Sequence, residues 1–210
     1  KSNLSASVEK LNLDPDTHRR FRAAVDAPHG LLLVTGPTGS GKTTTLYSAL
    51  NELNNPIYNI ITVEDPVEFQ IPGINQVPVK KEIGLSFANA LRSILRQDPD
   101  IIMMGEMRDS TTSQAPISAA DTGHLVLSTV HTTNASQSVS RILDFFKAEE
   151  REQIRPQIAG TLQAIICQRM DSTVAGTVTP ALEIMINTGT VKKLIEENRL
   201  DKLAAAIETG

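Results

Sequence analysis

Leu31-Leu32-Leu33-Val34-Thr35-Gly36-Pro37-Thr38-Gly39-Ser40-Gly41-Lys42-Thr43-Thr44-Thr45-Leu46 is the stretch on which the fold turns. Its first five residues form a short apolar run of the kind found in a parallel strand covered on both faces. A glycine-rich loop follows, and Thr43 to Leu53 then reads as a helix with Leu46, Leu50 and Leu53 at core spacing. Gly36 to Thr43 fits the pattern G-x-x-x-x-G-K-[ST] in full, between a strand and a helix, where a phosphate-binding loop (P-loop) must lie. The glycines let the backbone curl so that successive N–H groups converge on one phosphate, and the helix N-terminus adds positive partial charge. Lys42 is expected to reach the β- and γ-phosphates of ATP, and the Thr43 hydroxyl to ligate Mg²⁺. Gly36, Pro37, Thr38, Gly39, Ser40, Gly41 and Thr44 complete the expected nucleotide-binding set.

Working outward, the alternation of strand and helix repeats. Tyr58 to Val63, Ile101 to Met104 and Leu125 to Thr129 read as further buried strands, and Val178 to Ile186 as a last one. Thr17–Val25, Ser86–Arg96, Thr111–Ala120 (disturbed by Pro116) and Ser136–Phe145 read as helices. Ala148 to Met170 reads as one helix broken near Pro156, and the chain from Thr190 as helical, split near Asn198. This pattern predicts an α/β P-loop NTPase fold, a mainly parallel sheet flanked by helices with a helical C-terminal part. The expected division is a linker segment over 1–30, an ATPase core over 31–150, and a mostly helical remainder of the same domain over 151–210.

A phosphate loop binds nucleotide but does not itself orient the attacking water. Two acidic clusters stand at predicted strand ends, Met103-Met104-Gly105-Glu106 and Glu64-Asp65-Pro66-Val67-Glu68. In an open α/β sheet the ligand lies at the C-terminal strand ends, so these acids share an edge with the phosphate loop. Glu106 has the position of a Walker B acid serving the magnesium shell, Glu68 that of a general base or water-positioning group, and Glu64 that of a support for magnesium or its waters. The bland alternative is that strand-end acids cap loops or face solvent. Asp98-Pro99-Asp100 precedes a strand at the opposite edge and reads as structural, while Arg108 and Asp109 read as an ion pair near Glu106 or as surface. His131 ends the Leu125 strand, where it can sense a γ-phosphate or simply pack, and His124 precedes that strand on the far side.

Composition limits the alternatives. The chain has 210 residues, 40% of them hydrophobic, and a net charge of −4. Aromatics are 3% with no Trp, so a base-stacking platform has few rings to use, and no global positive field favours nucleic acid; none is expected as a direct partner. Cys167, the single cysteine, lies in an apolar run and supports neither an internal disulfide nor a cysteine zinc site. No apolar stretch approaches the roughly 20 residues of a bilayer span, and the N-terminus lacks a signal-peptide core. Lys1 rather than Met opens the chain, as expected of part of a longer protein.

Four motifs occur in order: GPTGSGKTTTL from Gly36, ITVEDPVEF from Ile61, LRSILRQDPDIIMMGEMRD from Leu91, and TGHLVLSTVHT from Thr122. Together they resemble the secretion-motor ATPases, the superfamily of type II secretion and type IV pilus ATPases, over about Leu13 to Ile195. The resemblance implies a RecA-like fold in a homo-oligomeric ring, usually a hexamer, with ATP bound between subunits. It implies a cytoplasmic motor, peripheral to the inner membrane through a platform protein of a pilus or secretion system. By position it makes Glu68 the catalytic glutamate, Glu106 the Walker B acid, and His124 and His131 the paired histidines, with His124 counted among the nucleotide-binding residues. The family places a further domain before the phosphate loop that supplies arginines to a neighbour's nucleotide, and the present chain resembles a motor without it. Members with a four-cysteine loop bind zinc, which this chain with Cys167 alone is not expected to do. The tail from Ala181 resembles the retraction branch, whereas LSTVHTTNA and INQVPV resemble secretion and assembly, so both directions of work stay open. A nucleic-acid motor on the same fold and a nucleotide-binding regulator without turnover are the alternatives.

Overall fold

Alternate residues of each buried strand feed two different layers. In β1 (Gly30–Thr35), Leu31 and Leu33 pack on one side of the sheet while Leu32 and Val34 pack on the other. β4 (Ile101–Glu106) divides likewise, with Ile102 and Met104 on the first side and Ile101 and Met103 on the second. A strand buried on both faces needs no polar alternation, which explains the uninterrupted apolar runs. The fold, a computed structural model, describes residues 6–209, so the first five residues of the predicted linker segment lie outside it.

The other strands are β2 (Ile60–Glu64), β3 (Asn75–Pro78), β5 (Leu125–Val130), β6 (Leu162–Ser172) and β7 (Val178–Ile186). They form one sheet in the order β3-β2-β4-β5-β1-β6-β7. All neighbouring pairs are parallel except β6–β7, which is antiparallel. Helices α1 (Pro15–Val25) and α2 (Lys42–Leu53) contribute to one covering layer. The other is built by α3 (Phe87–Leu95), α4 (Ser110–Asp121), α5 (Ala135–Asp144), α6 (Ala148–Thr161), α7 (Gly189–Glu196) and α8 (Leu203–Thr209). This is the expected mainly parallel α/β sheet flanked by helices.

Most helix starts carry their own cap. Asp14, Ser86, Asp109, Asn134 and Thr188 accept from backbone N–H groups in the first turns of α1, α3, α4, α5 and α7. The helix α2 has no side-chain cap, because Gly41 occupies that position. Pro116 and Pro156 lie inside α4 and α6, and neither ends its helix.

One expectation is corrected. The helix predicted from Ala148 to Met170 stops at Thr161, and the chain enters β6 at Leu162 with no intervening loop. The residues Ala164-Ile165-Ile166-Cys167 are buried against β1, paired from Leu32 to Thr35. The mostly helical 151–210 segment therefore also carries two strands, β6 and β7. The strand β3 is a second element that sequence periodicity missed, and its burial is partial.

Candidate active site

The topology brings distant segments to one sheet edge. Because β5 is inserted between β1 and β4, the residue that follows β5 stands between the loop after β1 and the end of β4. That residue is His131. Its Nδ1 lies 2.9 Å from the Lys42 Nζ, and its Nε2 lies 2.5 Å from Glu106 Oε1. Nδ1 also lies 3.3 Å from the Gly36 carbonyl oxygen; towards the closer lysine ammonium, which can only donate, Nδ1 accepts, and Nε2 donates to Glu106. Lys42 also donates to the Gly36 carbonyl at 2.7 Å. Burial pushes the Lys42 ammonium below its ordinary pKa, and the Glu106 carboxylate opposes that shift.

The loop itself is shaped by contact with β6. Gly36 has φ of 152°, and a Cβ there would meet the Gln168 carbonyl oxygen at 2.3 Å and Ser40 Oγ at 2.6 Å. Only glycine leaves room for that approach. Gln168 is buried, and its side-chain oxygen accepts from the Thr45 hydroxyl in the first turn of α2. Ser40 is buried, with a hydroxyl that has no partner among the described residues, while Pro37, Thr38 and Gly39 are exposed. The first N–H groups of an uncapped helix have no intrahelical acceptor. With the nearby Lys42 they make a cradle suited to an anion.

A cleft of about 190 Å³ opens here, lined by Lys42, Thr43, Glu64, Glu68, Glu106 and His131 among others. Four carboxylates border it, and they differ in what they already hold. Glu64 is buried at 4% exposure and accepts from the Tyr47 hydroxyl, from Thr62 Oγ1 at 2.6 Å and from Gln76 Nε2 at 3.2 Å. Asp65 faces Lys81 at 3.8 Å. Glu106 is paired with Arg108 Nε at 2.7 Å as well as with His131. Glu68 is exposed, and its carboxylate has no hydrogen bond or ion pair to the described residues. Thr43 is also exposed, so the cleft offers hard oxygen donors from Thr43, Glu64 and Glu106, the chemistry Mg²⁺ accepts.

Other predicted residues fall elsewhere. His124 does not reach the cleft: six residues of β5, about 20 Å of strand, separate it from His131. Its ring Nδ1 lies 3.0 Å from the Ala119 carbonyl oxygen, and the residue borders a separate cavity of about 550 Å³ with Asp26, Tyr58 and Asp100. Within this subunit His124 therefore lies apart from the phosphate cleft. Arg108 and Asp109 do not pair with each other. Arg108 holds Glu106, and Asp109 caps α4 through the Thr112 N–H at 2.8 Å. Three residues that frame the site were missed: Tyr47, Gln76 and Gln168. Tyr47 and Gln168 are polar side chains fully or almost fully buried, inside segments whose periodicity reads simply as core.

Comparison with known proteins identifies the family. The family described as Type II/IV secretion system protein matches residues 1–198. Type II secretion system protein E of Xanthomonas campestris pv. campestris is 55% identical over 161 residues, covering 77% of this chain and 27% of that protein. Type IV pilus retractation ATPase PilT of Pseudomonas aeruginosa is 46% identical over 195 residues, covering 90% of this chain and 56% of that protein. The crystal structure of the pilus retraction motor PilT with bound ADP superimposes with a TM-score of 0.89 at 38% identity, over 99% of this chain and 61% of that one. The chain thus spans between about a quarter and about three fifths of the relatives it matches. With the family match running through the phosphate loop, both acidic clusters and His131, the chain belongs to the type II/IV secretion system protein family.

Proposed function

We propose that this chain is the ATP-hydrolysing part of a ring-forming motor that powers type IV pilus assembly or retraction, or type II secretion. The observation that carries the reading is the meeting of Lys42, His131 and Glu106 at one cleft beside an unpaired Glu68 carboxylate. The cradle at the start of α2 suits the nucleotide phosphates, and Lys42 suits the β- and γ-phosphates. Thr43 and Glu106 would hold Mg²⁺, largely through water in the case of Glu106, and the ion would neutralise charge on the phosphates. Glu68 takes a proton from a water whose oxygen attacks the γ-phosphorus, the bond between that phosphorus and the β–γ bridging oxygen breaks so that the oxygen leaves on ADP, inorganic phosphate follows, and Glu68 releases its proton to solvent. Glu64 is unsuited to that role, since its oxygens already accept three hydrogen bonds, and Glu106 is engaged by Arg108 and His131. His131 Nε2–H holds Glu106 in place and Nδ1 faces Lys42, so the imidazole lies where γ-phosphate charge would be felt.

Other parts of the reading rest on likeness. The similar proteins include both a type II secretion system protein and a pilus retraction ATPase, which supports a motor without choosing its direction. A homo-oligomeric ring, a platform protein at the inner membrane and a cytoplasmic location belong to the proposal in the same way. No helix among the described residues is long and apolar enough to cross a membrane.

The test is Mg-dependent ATP hydrolysis with Lys42→Ala as blank. Wild-type turnover above that blank is expected, with Lys42→Ala losing tight ATP binding. Glu68→Gln should bind ATP normally and hydrolyse it at least about 100-fold more slowly, in the range for loss of a general base. Near-normal turnover in Glu68→Gln would hand the role to another acid, and unchanged affinity in Lys42→Ala would remove the phosphate-loop assignment.

A further inference from the structure

Tyr47 is fully buried on α2, five residues after Lys42. A buried phenol needs partners for its hydroxyl, because an unpaired one loses its hydration without compensation. Here all the partners belong to the acidic segment or to the glutamine that braces it. The hydroxyl donates to Glu64, accepts from the backbone N–H of Glu68 at 3.3 Å, and lies 3.4 Å from Gln76 Nε2. The Tyr47 ring meets Phe69 edge-on, with centroids 4.6 Å apart and planes at 75°. Gln76 completes the clamp from β3, donating to Glu64 at 3.2 Å and to the Phe69 carbonyl at 3.0 Å, and accepting from the Ile71 N–H at 2.7 Å. Burial first, and the Glu64 carboxylate second, push the phenol far above its usual pKa, so it remains a donor.

We infer that Tyr47 is a positioning residue that sets the height of Glu68 over the phosphate site, using the phosphate-loop helix as its ruler. Lys42 and Tyr47 lie about 7.5 Å apart along one rigid axis, at 1.5 Å per residue. The first faces the phosphate site and the second holds the backbone of the residue assigned as base. Glu68 itself is exposed and its carboxylate makes no hydrogen bond or ion pair with the described residues, so its reach depends on where its backbone is held. A hydroxyl that served only to accommodate buried Glu64 would not need the Glu68 N–H, nor would the ring need Phe69. This inference rests on the assignment of Glu68 as base.

The experiment is a double-mutant cycle on this chain with Tyr47→Phe, which keeps the ring, and Glu68→Gln. In the wild-type background Tyr47→Phe should lower kcat about tenfold, the scale of one lost hydrogen bond to a charged network. The KM for ATP should change less than about twofold, because the phosphate cradle is untouched. In the Glu68→Gln background the same substitution should change kcat little. Amide hydrogen exchange supplies a readout apart from activity. The Glu68 N–H should be protected in the wild-type chain and exchange faster in Tyr47→Phe, while amides of β4 and β5 stay unchanged. Wild-type kcat in Tyr47→Phe, or an equal loss in both backgrounds, would overturn the positioning role and leave a structural one. If Glu68→Gln alone is not slowed, it is the base assignment that fails. Should Tyr47→Phe not fold, an unprotected Glu68 amide in the wild-type chain overturns the inference, and a protected one upholds the hydrogen bond on which it rests.

Discussion

His131 touches Lys42 with one ring nitrogen and Glu106 with the other, so its tautomer is set by its neighbours. At this scale the chemistry is decided by what each carboxylate already holds: Glu64 and Glu106 are engaged and Glu68 is not. His131→Ala should therefore lower turnover by on the order of 100-fold, as expected for losing one oriented donor, with a much smaller effect on ATP affinity. Turnover and binding falling together would make His131 a structural residue. The roles of Lys42 and Thr43 were legible in the sequence, because a phosphate loop is a contiguous motif whose spacing is its geometry. Those of Tyr47 and Gln168 were not, because a polar residue at a core position declares itself only when its partners are seen.

The elements differ in how they announce their ends. The helix α4 begins with a capping box, in which Asp109 accepts from the Thr112 N–H and Thr112 Oγ1 accepts from the Asp109 N–H. Asp109→Ala should cost about 1 kcal/mol of unfolding free energy, the usual price of an N-cap. Denaturant titration would check it, with Arg108→Ala as the contrast: the solvent-facing guanidinium paired with Glu106 should contribute less. If Arg108→Ala proved the more damaging, the capping account would be wrong. The junction of α6 and β6 shows the opposite case. Gly160 stands one residue before the end of α6, a weak local stop signal, and Thr161 then runs straight into Leu162 without a loop. What ends the helix is the open edge of β1, whose unpaired backbone groups take Leu162 to Cys167 as a parallel neighbour. At Gly105 the element's end is shaped from outside, since a Cβ there would meet the Phe87 ring at 2.7 Å. That glycine lets the ring of α3 close over the last turn of strand before Glu106.

For the whole molecule, a site completed between subunits would make the rate per subunit rise with protein concentration. Measured hydrolysis across a dilution series, alongside sedimentation, should show activity and mass rising together; a flat rate on a growing assembly would place the whole site within one subunit. Sequence by itself determined the strand–loop–helix unit, the two acidic clusters at strand ends and the alternation that makes a parallel α/β sheet, because each is written in contiguous residues. Tertiary structure alone decided that β5 separates β1 from β4, and so that His131 bridges Lys42 and Glu106. It also decided that β6 is a strand and that Glu68 is the unpaired acid. The physical reason is the same throughout: strand order and hydrogen-bond partnership are contacts between residues far apart in the chain, and local periodicity carries no record of them.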